Sequence, residues 1–326
     1  MAERTTIVTG SKGGVGTTTV ALNLAVQLAL QTKKRTALID LARPFGQVSL
    51  MLDFEPRFTV LDALERIERI DESVLTSLAT RHKSGVEILA GPLQAPMKPE
   101  QRQSVTIQSI ARLIALAGQA YGFVVVDIGV VNAADWALAL QQARTILLVS
   151  EPGALSLGMI ERHMAAAARA GVECGRIHLI MNRWRQNDDD TVAAFEKSSG
   201  RTILARLPND YRQLTEAVQL AMPLMGSGNN PLIARYRDLA ARLSLDPSDP
   251  SAPETTVAKS GFLPAASQQI APWVDLQSAV TIRSNSFQLV ATRGILISIV
   301  SPLGGYLSSS FVLTPTQPRR TRQICA

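Results

Sequence analysis

A glycine-rich segment between an apolar run and a helical pattern has the composition of a phosphate-binding loop. It follows Ile7-Val8 and reads Gly10-Ser11-Lys12-Gly13-Gly14-Val15-Gly16-Thr17-Thr18-Thr19. Glycines let the backbone approach a phosphate chain, and the next helix adds free N–H groups and the positive end of its dipole. A hydroxyl after the last glycine can hold Mg²⁺. The segment predicts a phosphate site, and the alternative is a glycine turn without a ligand.

The loop departs from the pattern G-x-x-x-x-G-K-[ST] at two positions. Ser11 stands in the place of the first glycine, and Thr17 stands in the place of the lysine. That lysine ordinarily reaches the β- and γ-phosphates. Its replacement therefore removes a positive charge from a site where phosphoryl transfer depends on charge stabilisation.

An aspartate at the end of a later apolar run is the second candidate for chemistry. Asp127 follows Phe123-Val124-Val125-Val126, which reads as a buried strand. A lone buried carboxylate is costly unless it is paired or bound to a metal. Asp127 is therefore expected near Mg²⁺, and a structural cap is the alternative.

Alternating strands and helices must position these residues. The predicted strands are Ile7-Val8, Ala37–Ile39, Val86–Leu89, Phe123–Val126, Ile146–Val149, Ile177–Met181 and Ile203-Leu204. Helical patterns lie between them, and nearly continuous apolar strands of this kind form parallel sheets buried on both faces. The predicted fold is α/β, a doubly wound, mostly parallel sheet with helices on both faces. Ligands bind such sheets beyond the carboxyl ends of the strands.

The loop and four later segments resemble one family of P-loop ATPases. Lys12 to Thr19 resembles the deviant Walker A motif of the MinD/ParA family. The resemblance continues at the second strand ending in Asp40, the Walker B strand ending in Asp127, Ile180-Met181-Asn182-Arg183, Leu207-Pro208-Asn209-Asp210 and Ala217–Leu224. It covers residues 5 to about 245. Threonine in place of the loop lysine is typical of the CpaE/TadZ branch, which is associated with assembly and polar placement of Flp/Tad pili.

The resemblance implies a role for each site residue. Lys12 would reach the phosphates of the partner subunit in a nucleotide-sandwich homodimer. The phosphates of ATP would be cradled by Gly13, Gly14, Val15, Gly16 and Thr17, with Thr19 at the α-phosphate. Mg²⁺ would be held by Thr18 and Asp127. Adenine would contact Asn182 and the backbone around Pro208. The alternatives left open are an ordinary surface lysine, threonines that cap the helix and an asparagine in a turn.

Binding is better supported by the sequence than hydrolysis. Active members of the family usually carry Asp-x-Asp after the second strand, where the second carboxylate orients the attacking water. Here the segment is Asp40-Leu41-Ala42, so alanine occupies that place. Asp40 remains a candidate for an outer contact to Mg²⁺ or for the partner of Lys12. We expect the chain to bind ATP and to hydrolyse it slowly or not at all, because two groups that stabilise or orient the reaction are missing.

Composition separates residues 1–245, the predicted nucleotide-binding domain, from residues 246–326, a Pro/Ser-rich linker and a tail expected to be irregular and disordered. The tail holds 8 of the 17 prolines, and it resembles nothing in the family. Many members of the pilus branch carry a receiver-like domain before the ATPase domain, whereas here the loop follows at once. The chain has two cysteines, which excludes a disulfide scaffold.

The partners and the location follow from charge and from the absence of targeting signals. No long apolar segment precedes a cleavage site, so a cytoplasmic location is expected, with a cell pole or the inner membrane surface left open. The net charge of +6 is spread over the chain and predicts no specific nucleic acid partner. Residues 231–245 carry Leu232, Tyr236, Leu239 and Leu243 on one face, which favours a final helix on the sheet over a peripheral membrane helix.

Three functions remain open at this point. The first is a CpaE/TadZ-type protein that forms a nucleotide-dependent dimer and acts with pilus-assembly or secretion proteins. The second is an active ATPase for division-site placement or for chromosome or plasmid partition. The third is a scaffold that binds no nucleotide, which the retained loop and Asp127 disfavour.

Overall fold

The computed structural model describes residues 4–42, 46–92, 105–225 and 230–245, together with three strands between residues 280 and 300. The chain divides into two compact units, residues 1–255 and residues 256–326. This division lies ten residues beyond the boundary expected from composition, which remains a prediction.

The described part of the first unit contains one sheet of eight strands. They are β1 (Thr5–Gly10), β2 (Thr36–Asp40), β3 (Thr80–Arg81), β4 (Val86–Leu89), β5 (Phe123–Asp127), β6 (Thr145–Ser150), β7 (Ile177–Trp184) and β8 (Ile203–Pro208). Their order is β3-β4-β2-β5-β1-β6-β7-β8. Every pair is parallel except β3 with β4, which is antiparallel. The predicted doubly wound, mostly parallel sheet is therefore confirmed.

Helices connect the strands and cover the sheet. They are α1 (Thr17–Thr32), α2 (Val48–Met51), α3 (Val60–Glu65), α4 (Glu72–Leu78), α5 (Ile107–Ala120), α6 (Ala133–Leu140), α7 (Ala154–Arg169), α8 (Asp189–Ser199), α9 (Tyr211–Gln219) and α10 (Pro231–Ser244). Within the described ranges, no helix is long and apolar enough to cross a membrane.

The central strands are buried because helices lie on both faces of the sheet. Alternate residues of β1 enter two different cores: Ile7 packs with residues of α3 to α6, and Val8 packs with residues of α1 and α10. Val124 and Val125 of β5 divide in the same way. This alternation follows from the two-residue period of a strand.

The last helix of the first unit packs against α1. Leu232, Tyr236 and Leu239 of α10 are buried with residues of α1 and the sheet. The predicted final helix on the sheet is therefore confirmed. The apolar side that a membrane helix would need is buried inside the first unit.

The second unit contains three antiparallel strands, β9 (Val280–Arg283), β10 (Gln288–Thr292) and β11 (Leu296–Val300), in the order β11-β10-β9. These segments lie within the tail that was expected from its composition to be irregular, and that expectation stays a prediction. Their β-branched and other apolar residues favour strands. The rest of residues 246–326 lies outside the described part, and its disorder stays a prediction.

The strand register brings the candidate residues to one edge. Asp127 at the end of β5 pairs with Val8 of β1 on one side and with Asp40 of β2 on the other. The loop after β1 begins at Ser11, three residues beyond Val8. The loop and both aspartates therefore meet at the carboxyl edge of the sheet, as parallel strands require.

Candidate functional site

The loop between β1 and α1 needs glycine at two positions with left-handed backbone. Gly14 has φ +78° and Gly16 has φ +91°, which side chains rarely allow. A Cβ on Gly16 would also lie 2.5 Å from Nδ2 of Asn182. A Cβ on Gly13 or Gly14 would meet nothing within 4 Å. The loop therefore leaves open space on the side of Gly13 and Gly14.

Ser11 anchors the start of the loop to its neighbours. Its N–H donates to the carbonyl of Val149 at 2.8 Å, and its Oγ donates to Oγ of Ser150 at 2.9 Å. Nε2 of His163 on α7 lies 2.9 Å from the Ser11 carbonyl. A glycine could not make the hydroxyl bond. Serine in place of the first glycine thus adds a hydrogen bond between the loop and β6.

Thr17 is buried, and its hydroxyl points back to the end of β1. A Cβ on Gly10 would lie 2.5 Å from Oγ1 of Thr17, so these two residues are in close contact. The position of the missing lysine therefore holds a short neutral side chain turned inward. Thr18 is also buried, and its hydroxyl lies near enough to Asp127 to act against the rise in the pKa of that carboxyl. The N-cap of α1 is Gly16 and no side chain caps the helix, so the capping alternative for the threonines is wrong.

Asp127 is fully buried with one carboxylate oxygen left unpaired. Oδ1 accepts the N–H of Gly129 at 3.0 Å, whereas Oδ2 has no hydrogen-bond partner among the described residues. Burial and the nearby Asp40 carboxylate raise the pKa of Asp127 to about 7. Hydroxyl and carboxylate oxygens are the ligands that Mg²⁺ prefers. Thr18 and the free oxygen of Asp127 fit a magnesium ion at this place.

Asp40 is occupied by backbone amides. Its Oδ1 accepts from the N–H of Ala42 at 3.1 Å, and its Oδ2 accepts from Gln47 at 2.8 Å and Val48 at 3.0 Å. Burial raises the pKa of Asp40, and these bonds oppose that effect. The carboxylate therefore joins the end of β2 to Ala42 and to the start of α2. Asp40 lies beside Asp127 in the register of β2 and β5, and its outer contact to Mg²⁺ stays a prediction.

Lys12 has a partner other than the expected Asp40. Its Nζ lies 2.5 Å from Oε1 of Glu151, and Oε2 of the same carboxylate lies 3.2 Å from Nη1 of Arg183. The hydrogen bond from Lys12 and the charge of Arg183 keep the pKa of Glu151 below its usual range, although burial opposes them. The structure thus pairs Lys12 with Glu151, and Lys12 and Arg183 share that carboxylate.

Glu151 was not among the predicted site residues. It follows directly after Ser150, the last residue of β6. Its position after a predicted strand was the available signal, because functional residues were expected just beyond strand ends. Arg183 belongs to the segment Ile180–Arg183 that resembles the family, but it had no predicted role. It lies near the end of β7.

Asn182 contacts the loop itself. Its Nδ2 donates to the carbonyl of Val15 at 2.8 Å, and the residue is buried. Pro208 ends β8 and pairs with Trp184 of β7, at the same edge of the sheet. The structure therefore brings Asn182 and Pro208 to the edge that carries the loop. Their contact with adenine stays a prediction.

Comparisons with known proteins agree on the family. The model of the CobQ/CobB/MinD/ParA nucleotide binding domain matches residues 6–219. A protein of Oltmannsiellopsis viridis, assigned as septum site-determining protein MinD, is 28% identical over 221 residues, which are 64% of this chain and 65% of that protein. The chain therefore spans about two thirds of that relative's length.

Solved structures show the same fold. A ParA family ATPase from Chlorobium tepidum superimposes with a TM-score of 0.66 at 22% identity, covering 73% of this chain and 99% of that one. MinD of Pyrococcus horikoshii, solved with Mg-ADP, gives a TM-score of 0.59 at 22% identity, covering 72% and 93%. With the family model matching well over half of the chain, the protein belongs to the CobQ/CobB/MinD/ParA nucleotide-binding family.

Proposed function

We propose that the chain binds ATP with Mg²⁺ at the loop between β1 and α1. The observation that carries this proposal is the unpaired Oδ2 of Asp127, a fully buried carboxylate oxygen beside the hydroxyl of Thr18. A buried polar atom without a partner is costly, and a metal ligand accounts for that cost. The MinD of Pyrococcus horikoshii was solved with Mg-ADP, which supports the same ligand class.

The residues of this chain divide the binding task. The open backbone of Gly13 and Gly14, with the amides of the loop and the start of α1, would surround the phosphates. Thr18 and Asp127 would hold Mg²⁺, which neutralises charge on the phosphate oxygens when bound. Thr19 would contact the α-phosphate, and Asn182 and Pro208 would line the base.

We infer that hydrolysis is slow or absent. Thr17 turns its short side chain toward Gly10, so no cation at this position reaches the phosphates. Ala42 is buried against Gly129, where a Cβ on the glycine would lie 3.6 Å from that of Ala42. Alanine cannot orient water. Each missing group costs about 10²-fold or more in rate by analogy with the loss of one oxyanion donor.

The proposed assembly is a homodimer that forms with nucleotide. Lys12 lies at the exposed edge of the site, and an ion pair with Glu151 holds it there. A partly exposed pair of this kind is worth about 1 kcal/mol or less. Lys12 is therefore available to a phosphate of a second subunit at small energetic cost.

The proposed cellular role is CpaE/TadZ-type assembly or polar placement of a Flp/Tad pilus. Thr17 in place of the loop lysine supports this role. Its partners would be pilus-assembly or secretion proteins, and the chain would act in the cytoplasm at a pole or at the inner membrane surface. Division-site placement is the second candidate, favoured by the relatives named MinD.

The decisive experiment measures ATP and ADP binding beside phosphate release. We expect calorimetry on the full chain to give saturable binding of Mg-ATP, with little phosphate released. Asp127→Ala should remove the Mg²⁺ requirement and most of the affinity. Rapid turnover that disappears in Lys12→Ala or Asp127→Ala would refute the slow-hydrolysis proposal. Absence of ATP and ADP binding would support the third function, a scaffold that binds no nucleotide.

A gene deletion separates the two cellular roles. Loss of surface pili with normal septa supports the pilus role. Misplaced septa with normal pili support division-site placement.

A further inference from the structure

We propose that Arg183 is a phosphate-binding residue of the nucleotide site, and that Glu151 holds Arg183 and Lys12 until a phosphate chain displaces it. The inference rests on the proposed ATP binding and adds a residue to that site. It also gives Glu151 a role as an internal competitor of the nucleotide.

The first argument concerns charge. The phosphate chain of ATP carries several negative charges, and the usual lysine of the loop is replaced by the inward-turned Thr17. Lys12 is the cation that the loop retains. Arg183 is the second cation in contact with the Lys12 carboxylate partner. It therefore lies where a replacement charge is needed.

The second argument concerns the backbone that presents Arg183. Its neighbour Asn182 donates to the carbonyl of Val15 and touches Gly16, so β7 contacts the loop one residue before Arg183. Arg183 has φ +56°, which is uncommon for a residue with a side chain. The pairing of β7 with β8 is irregular between Met181 and Trp184. Strained backbone of this kind is concentrated at functional sites.

The third argument concerns Glu151 as a substitute anion. Its two oxygens contact Lys12 on one side and Arg183 on the other, at 2.5 and 3.2 Å. The carboxylate thus gives both cations the kind of partner that a phosphate would give. A guanidinium binds phosphate oxygens through two parallel N–H donors. Arg183 would therefore exchange its single contact with Glu151 for two contacts with a phosphate.

The test uses calorimetry on the full chain with Mg-ATP and with inorganic triphosphate, which lacks the base and the ribose. Arg183→Gln should weaken binding of both ligands about tenfold or more, as expected for loss of a charge-assisted hydrogen bond. Arg183→Lys keeps the charge and should recover part of the affinity. Glu151→Gln should tighten triphosphate binding about two- to fivefold because a competing ion pair is gone.

Arg112 and Glu68 provide the matched control. This pair is also a single contact, at 2.7 Å, and Arg112 is 50% exposed against 52% for Arg183. It lies on α5 and the segment before α4, whose apolar residues belong to the core on the other face of the sheet from α1. Arg112→Gln and Glu68→Gln remove the same charges and should leave both affinities unchanged.

The outcomes separate this inference from the proposed function. If the unmodified chain binds neither ligand, ATP binding itself is refuted. If the chain binds both and Arg183→Gln behaves like Arg112→Gln, only the role of Arg183 is refuted. Weaker binding of Mg-ATP with unchanged triphosphate binding would place Arg183 on the base and overturn the phosphate assignment. A Glu151→Gln variant that binds triphosphate more weakly would overturn the competitor role.

Discussion

Replacement of Asp127 by asparagine should stabilise the metal-free protein while it abolishes the response to Mg²⁺. The carboxylate is fully buried, one oxygen has no partner, and its pKa is raised to about 7. In the unfolded chain the same group ionises near pH 3.9. At 1.36 kcal/mol per pH unit, the ionised form costs the folded state on the order of 4 kcal/mol at pH 8. Water penetration lowers this figure, so we expect about 2 to 4 kcal/mol.

The sign of the pH dependence follows from the raised pKa. Between the unfolded and folded values the native state binds more protons, so stability decreases as pH rises toward 7 and stays low above it. Asparagine is neutral at every pH and still presents an oxygen to the N–H of Gly129. The stabilisation by Asp127→Asn should therefore be largest at pH 8. It should shrink at pH 5 and vanish below the ordinary pKa of aspartate.

Urea denaturation in the presence of a chelator measures this effect, and Asp40→Asn provides the contrast. Asp40 is a neighbouring buried carboxylate whose Oδ2 accepts two backbone amides. In either orientation the amide nitrogen would face a backbone N–H, so Asp40→Asn should lower stability by about 1 to 3 kcal/mol at pH 5, where loss of its buried charge offsets the effect less than at pH 8. Destabilisation by Asp127→Asn at pH 8, or a gain that does not shrink at pH 5, would refute the reasoning. Thermal melts with Mg-ATP should show a stabilising shift in the unmodified chain and none in Asp127→Asn.

Three further predictions concern the loop and the groups that hydrolysis lacks. Gly16→Ala should bind Mg-ATP at least tenfold more weakly in calorimetry. Left-handed backbone costs about 1 to 2 kcal/mol for a residue with a side chain, and the new Cβ would also lie 2.5 Å from Nδ2 of Asn182. Gly175→Ala lies outside the loop and its Cβ would also meet nothing within 4 Å, so this variant should bind like the unmodified chain, and equal losses in both variants would contradict this account. Combined Thr17→Lys and Ala42→Asp should raise phosphate release about 10²-fold or more, which a coupled phosphate assay would detect and an unchanged rate would disprove. Lys12→Ala should stay monomeric with Mg-ATP in light scattering while it still binds nucleotide, and a dimer of normal affinity would contradict the role of Lys12.

The sheet and the loop could be predicted because their signals are local. Apolar runs such as Phe123–Val126 carry the strand pattern, and the glycines of the loop mark the turn that precedes α1. The edge at which the site lies also follows, since open parallel sheets bind ligands beyond the carboxyl ends of their strands. The burial of α10 was predicted from the spacing of its apolar residues.

The ion pairs of the site could not be predicted because they depend on strand order. Glu151 follows β6 and Arg183 lies near the end of β7, and these strands lie successively beside β1 in the sheet. The spacing of residues along the sequence does not reveal this order of strands. The hydrogen bonds of Asp40 likewise depend on the positions of the Ala42, Gln47 and Val48 amides in the folded chain. From the sequence, the Asp40 carboxylate fits an outer contact to Mg²⁺ as well as it fits hydrogen bonds to backbone amides.

The two departures of the loop act in the same direction. Ser11 uses its hydroxyl to hold Ser150, and Thr17 turns its hydroxyl toward Gly10. Both positions therefore use their side chains for internal contacts, whereas the backbone at Gly13 and Gly14 stays open. Phosphate binding relies on backbone amides and the helix N-terminus, which the loop retains. Phosphoryl transfer relies in addition on placed charges, which Thr17 and Ala42 do not supply. Under the proposed function, a site built in this way would separate nucleotide binding from nucleotide turnover, and the bound state would persist as a signal for assembly.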